Sequence, residues 1–358
     1  MKYGLRPSCW LFVSVLFGCM HGIAHAGLDE GTAALKTGDY ATAIRELEPL
    51  AASGNGQAQF MLGRLYAGRG QLSEAFNWYR MAAEQGDPRA QYFIGVDYIF
   101  GRGVNKDEAQ AVQWFREAAD QGEEDAEFML GDCYIHGTGT AKNVQKGLRW
   151  WRKGAEEGHM ALQTRMGTVY QWGLFEVPKD GTQAAYWYNK SAEQGDETAL
   201  SQLADMYRYG RDVPKNEARA AQLYRKLAEK NPLIGGSALA EIYESGIGVP
   251  KDDAAAFAWY VKAAEQGAAG AQRRVAEMYE AGRGTTASSI LAFAMFDIVA
   301  NGPSILADKA AAERDLIGRS LNDEQLNEAK SMSASWRQSR KLSLGSSIPL
   351  PSLPLKDR

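Results

Sequence analysis

The sequence predicts an all-α fold, a right-handed α/α superhelical solenoid of helix-turn-helix repeats. Three observations predict it. First, Trp78, Trp114, Trp150, Trp187 and Trp259 are spaced by 36, 36, 37 and 72 residues. Leu223 fills the vacant register and Met295 extends it, and self-similarity at this period marks a helical repeat array. Second, Tyr66, Tyr98, Tyr134, Tyr170, Tyr207, Tyr243 and Tyr279 form a parallel ladder. From each Trp-ladder position to the next Tyr is always 20 residues, whereas the return interval ranges from 12 to 17. One connection is therefore rigid, and the other is a loop that tolerates length changes. Third, a small residue precedes every ladder position by three: Gly63, Gly95, Gly131, Gly167, Ala204, Ala240 and Ala276 before the tyrosines, Ala75, Ala111, Gly147, Ala184, Ala220, Ala256 and Ala292 before the other ladder. Glycine inside a helix costs up to ~1 kcal/mol against alanine. Close approach of a second helix backbone is the expected compensation.

Taken from the N-terminus, residues 1–26 read as a secretory signal. Lys2 and Arg6 start it, Trp10 to Phe17 form its apolar middle, and Ala24 and Ala26 supply small residues before a cut at Gly27. Leu16-Phe17-Gly18-Cys19 is the alternative, a lipobox-like acylation site that would make the chain an outer-membrane lipoprotein through Cys19. Both readings export the chain, to the periplasm or beyond. Within the repeats, Asp107, Asn143, Asp180, Asn216, Asp252 and Ser288 stand in register before the second helix as N-caps. Gly86, Gly122, Gly158, Gly195 and Gly267 stand where that helix must stop in a left-handed residue. Asp87-Pro88 reads as a cap followed by proline at the first helical position.

Ala90-Gln91-Tyr92, Gly95, Tyr98, Gly101-Arg102-Gly103-Val104, Trp114-Phe115 and Ala118 to Gly122 together resemble the Sel-one-like repeat. Val249 to Asp252 and Trp259 to Gly267 match it more closely still. The family is a branch of the tetratricopeptide superfamily, and the resemblance covers seven repeats over 55–302. Residues 27–54, with Gly38-Asp39-Tyr40, Ala43 and Leu47, look like a degenerate tetratricopeptide-like unit without the Trp. In the fifth repeat Leu223 replaces Trp and Asn231-Pro232 replaces the terminal Gly, so a local kink is expected there. Residues 303–338 read as a C-terminal helical cap, which an array needs for solubility. Residues 339–358 read as a Pro/Leu-rich flexible tail.

Composition bounds the function. The 358 residues are 45% apolar and 23% charged, with 40 basic and 44 acidic side chains. Without Lys2 and Arg6 the balance is 38 against 44, a charge of −6, which gives no footprint for nucleic acid. Cys133 alone would remain beyond the leader, so no intrachain disulfide is available. It reads as a small core residue. No HExxH, CxxC or G-x-S-x-G occurs, and His136 and His159 read as surface residues. No catalytic residue, metal ligand or cofactor is expected. Glu123-Glu124-Asp125 reads as helix-start charge that favours the dipole. Cysteine-rich members of the resembled family are linked to β-lactam binding or hydrolysis. Their cysteine pairs are missing here, which argues against carrying that activity over.

The resemblance implies a non-catalytic scaffold or adaptor, binding envelope or secreted proteins through an inner face lined by first helices. The candidate protein-binding residues are Arg64, Tyr92, Asp97, Arg165, Trp172, Asp205, Tyr209 and Glu241. Phe60, Gln163 and Glu277 on first helices and Arg102, Phe175 and Arg211 in loops extend the set, since aromatic and arginine side chains concentrate at binding hot spots. Polysaccharide or peptidoglycan is the alternative partner. A hydrolase acting on the cell wall or β-lactams is the third reading.

Overall fold

A computed structural model describes residues 26–339, with side chains to 337. The predicted signal sequence, the Cys19 alternative and the tail beyond 339 lie outside the described residues. Among the described residues every regular element is helical. The chain divides into two compact units, one ending at Leu162 and the other starting at Gln163.

The first unit begins with a helix over 26–37 (α1). It continues through α2 Tyr40–Ala52, α3 Gly56–Gly68, α4 Leu72–Glu84, α5 Pro88–Phe100, α6 Glu108–Asp120, α7 Glu124–His136 and α8 Val144–Glu157. The next helix, α9, spans Met160–Trp172 across the division. The second unit holds α10 Gly181–Glu193, α11 Glu197–Tyr209, α12 Glu217–Lys230, α13 Pro232–Ser245, α14 Asp253–Glu265, α15 Ala269–Ala281, α16 Ser289–Ala300, α17 Ala307–Gly318 and α18 Asp323–Ser339. The degenerate N-terminal segment is thus α1 and α2, and the predicted cap is α17 and α18. From α2 to α8 and from α10 to α17 each helix packs on the next, and α18 packs on α16.

The helix ends form where the sequence places them. Asp107, Asn143, Asp180, Asn216, Asp252 and Ser288 each accept a backbone N–H of the first turn they precede. Asp87 does the same ahead of Pro88. Gly86, Gly122, Gly158, Gly195 and Gly267 all take positive φ after the second helix. At the fifth repeat the loop disappears. Asn231 closes α12 and caps α13, its amide donating to Glu197 at 2.8 Å.

The reason for the small residues differs from the expectation. A third aromatic ladder lies one residue past the Trp ladder: Tyr79, Phe115, Trp151, Tyr188, Tyr224, Tyr260 and Phe296, all buried. In the first four repeats the first-helix glycine seats the ring of that ladder. A β-carbon on Gly63 or Gly95 would fall 2.5 Å from a carbon of Tyr79 or Phe115, and one on Gly131 would enter the Trp151 indole. These first-helix glycines make room for rings, and bury large aromatic area in exchange, whereas Gly147 on the second helix meets a second backbone as expected, its β-carbon position 2.5 Å from the Gly131 carbonyl oxygen. The Trp ladder is less deeply packed: Trp78, Trp114 and Trp150 are only half-buried, while Trp187 and Trp259 are buried.

Backbones do meet closely at the hairpin loops. A β-carbon on Gly284 would overlap the first peptide group of α14, and Gly103, Gly139 and Gly248 pack the same way on α4, α6 and α12. Asp212 takes the corresponding left-handed position, φ 62°. There the glycine has moved to the other side of the contact, where Gly181 opens α10 beneath the Asp212 carbonyl. One of the two facing residues must lack a side chain, and either will serve.

Candidate interaction groove

In the first unit, α1, α3 and α5 present one side of the hairpin stack and enclose a groove of about 450 Å³. Its floor is apolar, with Leu35 from α1 and Phe60, Met61 and Leu65 from α3. Its rim is cationic, with Lys36 from α1, Arg64 from α3 and Arg89 from α5. No acidic side chain lines it. Tyr40 stands at the edge, 49% exposed.

The three cations differ. Arg89 is fixed: its guanidinium pairs with Asp87 at 2.7 Å and lies 4.3 Å from the Phe60 ring centroid. That ion pair holds the Asp87 carboxyl below the usual carboxylate range against the opposing effect of desolvation. Lys36 and Arg64 make no ion pair among the described residues. An apolar floor with two uncompensated cations suits a segment that carries carboxylates beside apolar side chains.

The structure disperses the other candidates. Tyr92 is half-buried on α5 and packs edge-on against Phe93. Asp97 is buried within α5, so it is not a surface contact, and desolvation pushes its carboxyl up to about 7. In the second unit Asp205 is committed to a hydrogen bond from the Tyr224 hydroxyl. Glu241 pairs with Arg208 at 3.2 Å. Tyr209 and Trp172 are exposed, at 51% and 63%, and Tyr209 lies between Arg208 and Arg211 with ring-to-guanidinium distances of 5.3 and 4.7 Å. Arg165 is half-buried on α9. Gln163 is buried against Gln194, and Glu277 is held by Arg273 and Arg274.

Lys36, Tyr40 and Arg89 were not singled out in the sequence. Each lies outside the aromatic ladders, and only the stacking of three first helices brings them beside Arg64 and Phe60. Cys133 is buried and its thiol is pushed up to about 12, as suits a core residue. His159 departs from the surface reading: its side chain is only 18% exposed and lies 2.9 Å from a fully buried carboxylate, Glu127.

The Sel1 repeat family model matches residues 56–87, 88–123, 124–159, 161–196, 198–232, 237–267 and 269–300. These segments coincide with the helix pairs from α3/α4 to α15/α16. A solved protective antigen of uropathogenic Escherichia coli strains, which displays an SLR fold, is 31% identical over 91% of this chain and 73% of its own, with TM-score 0.60. A Sel1 repeat protein from Oxalobacter formigenes is 26% identical over 87% of this chain and 95% of its own, with TM-score 0.63. No curated protein matches the chain. Seven matched repeats, each one observed helical hairpin, span more than half of the sequence, and the chain therefore belongs to the Sel1 repeat family, a helical-repeat fold commonly used for protein–protein interaction.

Proposed function

We propose that the protein is an exported, non-catalytic scaffold that binds envelope or secreted proteins through its first-helix face. The observation that carries this reading is the groove of α1, α3 and α5, where Lys36 and Arg64 border an apolar floor with no ion-pair partner among the described residues. The ligand is a protein segment with acidic residues among apolar ones. It docks on pre-formed helices, so little ordering cost falls on the scaffold. Export is supported by the leader-like residues 1–26 and by the similarity to a protective antigen of uropathogenic Escherichia coli strains.

The test is capture from crosslinked envelope extract by the wild-type chain and by a Lys36→Glu/Arg64→Glu double variant. Proteins recovered by the wild type and lost on charge reversal support the reading. Equal recovery by both removes the groove from it. The exposed Trp172 and Tyr209 favour a second reading, in which the second unit binds polysaccharide or peptidoglycan. Retention of glycan by the wild type, abolished by Trp172→Ala and Tyr209→Ala, would support that one.

A further inference from the structure

A ladder of buried amides fastens the repeats. Gln59, Gln91 and Gln272 donate to the backbone carbonyls of Ala51, Ala83 and Ala264, at 2.9, 3.3 and 3.2 Å, near the end of the preceding helix. Amides also pair across single hairpins. Gln85 donates to Gln59 at 2.7 Å, Gln121 to Gln91 at 2.8 Å and Gln194 to Gln163 at 2.8 Å.

The α7/α8 hairpin departs from this at every point of the rung. The register that runs through Gln91 and Gln163 meets Glu127. The register of Gln121 and Gln194 meets Glu157. Where Asp87 and Asp196 cap α5 and α11, the chain has His159 before α9. Where Ala82 and Ala118 stand in the second helix, it has Gly154. The four departures converge. Glu127 is wholly buried, and its carboxylate faces His159 Nδ1 at 2.9 Å. Yet neither Glu127 Oε2 nor His159 Nδ1, both buried atoms, has a hydrogen bond of acceptable geometry. One ligand atom from each of Glu127, Glu157 and His159 lies within 4.8 Å of the others. Gly154 keeps the space open, since a β-carbon there would lie 2.9 Å from His159 Nδ1 and overlap Glu127 Oε2.

We propose that Glu127, Glu157 and His159 form a binding site for a divalent transition-metal ion, Zn²⁺. Two buried atoms that face each other at 2.9 Å without a well-formed hydrogen bond are satisfied together by a cation. One imidazole with two carboxylates suits zinc better than calcium or magnesium, which take oxygen ligands alone. Three protein ligands leave a fourth position for water. Lys153 Nζ contacts Glu127 and lies 3.3 Å from Glu157, so its ammonium offsets one of the two carboxylate charges in the metal-free protein. Its side chain is 42% exposed and can swing into solvent when the ion enters.

The test is calorimetric titration of Zn²⁺ into the full chain after EDTA stripping and buffer exchange. One ion per chain is expected. Glu127→Gln, Glu157→Gln and His159→Asp each install the residue type the array uses at that position, so the fold is kept while a ligand is lost. Each should weaken binding at least tenfold, with an unchanged far-ultraviolet spectrum. His136→Ala should bind as the wild type does. Absence of stoichiometric Zn²⁺ uptake at micromolar concentration overturns the proposal. So does uptake that survives Glu127→Gln and His159→Asp but is lost in His136→Ala, because the ion would then sit on the exposed Asp132–His136 pair.

Discussion

Gly131→Leu tests the ring-seat account of the first-helix glycines directly. The new β-carbon would enter the Trp151 indole and lie 3.2 Å from the Gly147 carbonyl. Trp151 is wholly buried and donates its Nε1–H to the Phe128 carbonyl at 3.0 Å. The ring cannot turn aside without losing that bond, which contributes about 1 kcal/mol. Overpacking adds roughly 1–3 kcal/mol, and the better helix propensity of leucine returns something under ~1 kcal/mol. The net loss is about 1–3 kcal/mol. At roughly 2–4 °C per kcal/mol for a domain of this size, the thermal midpoint should fall by ~2–12 °C. Gly270→Ala is the control: Gly270 is helical with nothing within 4 Å of an added β-carbon, so its midpoint should hold or rise. Melting followed by circular dichroism reads both. An unchanged midpoint for Gly131→Leu would refute the claim that this glycine exists to seat the indole.

Two titration predictions follow from buried carboxylates. Asp97 has its carboxyl raised to about 7 by desolvation, so the folded state holds a proton that the unfolded state releases near pH 4. Stability contributed there is lost as pH rises from about 4 to about 7. Asp97→Asn should flatten that part of the urea-midpoint profile and be the more stable form at pH 8. Asp297 has the opposite sense. It accepts from Ser333 at 2.7 Å and pairs with Arg314 and Arg337 at 3.1 and 3.2 Å, and its carboxyl is held below the usual range by these partners despite desolvation. Its contribution is present above pH ~4 and lost in acid. Asp297→Asn should cost roughly 1.5–3 kcal/mol at pH 7, the range for hydrogen bonds to charged groups, measured by urea denaturation.

The fold was legible because its signals are periodic and steric. The second-helix N-caps from Asp107 to Ser288 and the left-handed glycines from Gly86 to Gly267 lie where the spacing puts them, since caps and positive φ depend on local chemistry alone. The ring seats were not legible, because the buried ladder lies one residue past the conspicuous one. A Trp at period 36 is the more conspicuous letter, but the next residue, Tyr79, Phe115 or Trp151, points inward against the glycine. Adjacent positions on a helix differ by about 100°, so a one-residue error exchanges the buried ring for the half-exposed one. The binding candidates fared differently because exposure on a first helix depends on the neighbouring hairpins. Arg64 and Asp97 are both polar residues on first helices. Stacking leaves the first on a groove and buries the second.

The amide ladder carries the same lesson further. Gln59, Gln91, Gln163 and Gln272 fill this register in four of the seven repeats, with Leu200 and Gly236 in two others, yet hydrophobic periodicity does not see them, because a buried polar residue resembles a surface one in sequence. Their role follows from the repeat itself. Each first helix begins over the end of its predecessor, where the buried carboxamide adds a second, uncharged hydrogen bond to a carbonyl that already accepts the N–H of the terminal glycine. A carboxylate cannot donate that bond. Replacing amides by the buried Glu127 and the exposed Glu157 therefore removes a fastening and introduces one charge inside the array, offset by Lys153 or by a metal ion. A packing position in a repeat array is expected to keep the array's residue, and the α7/α8 rung changes four interacting positions together. That joint departure, rather than any single histidine or glutamate, distinguishes a site from the scaffold that surrounds it.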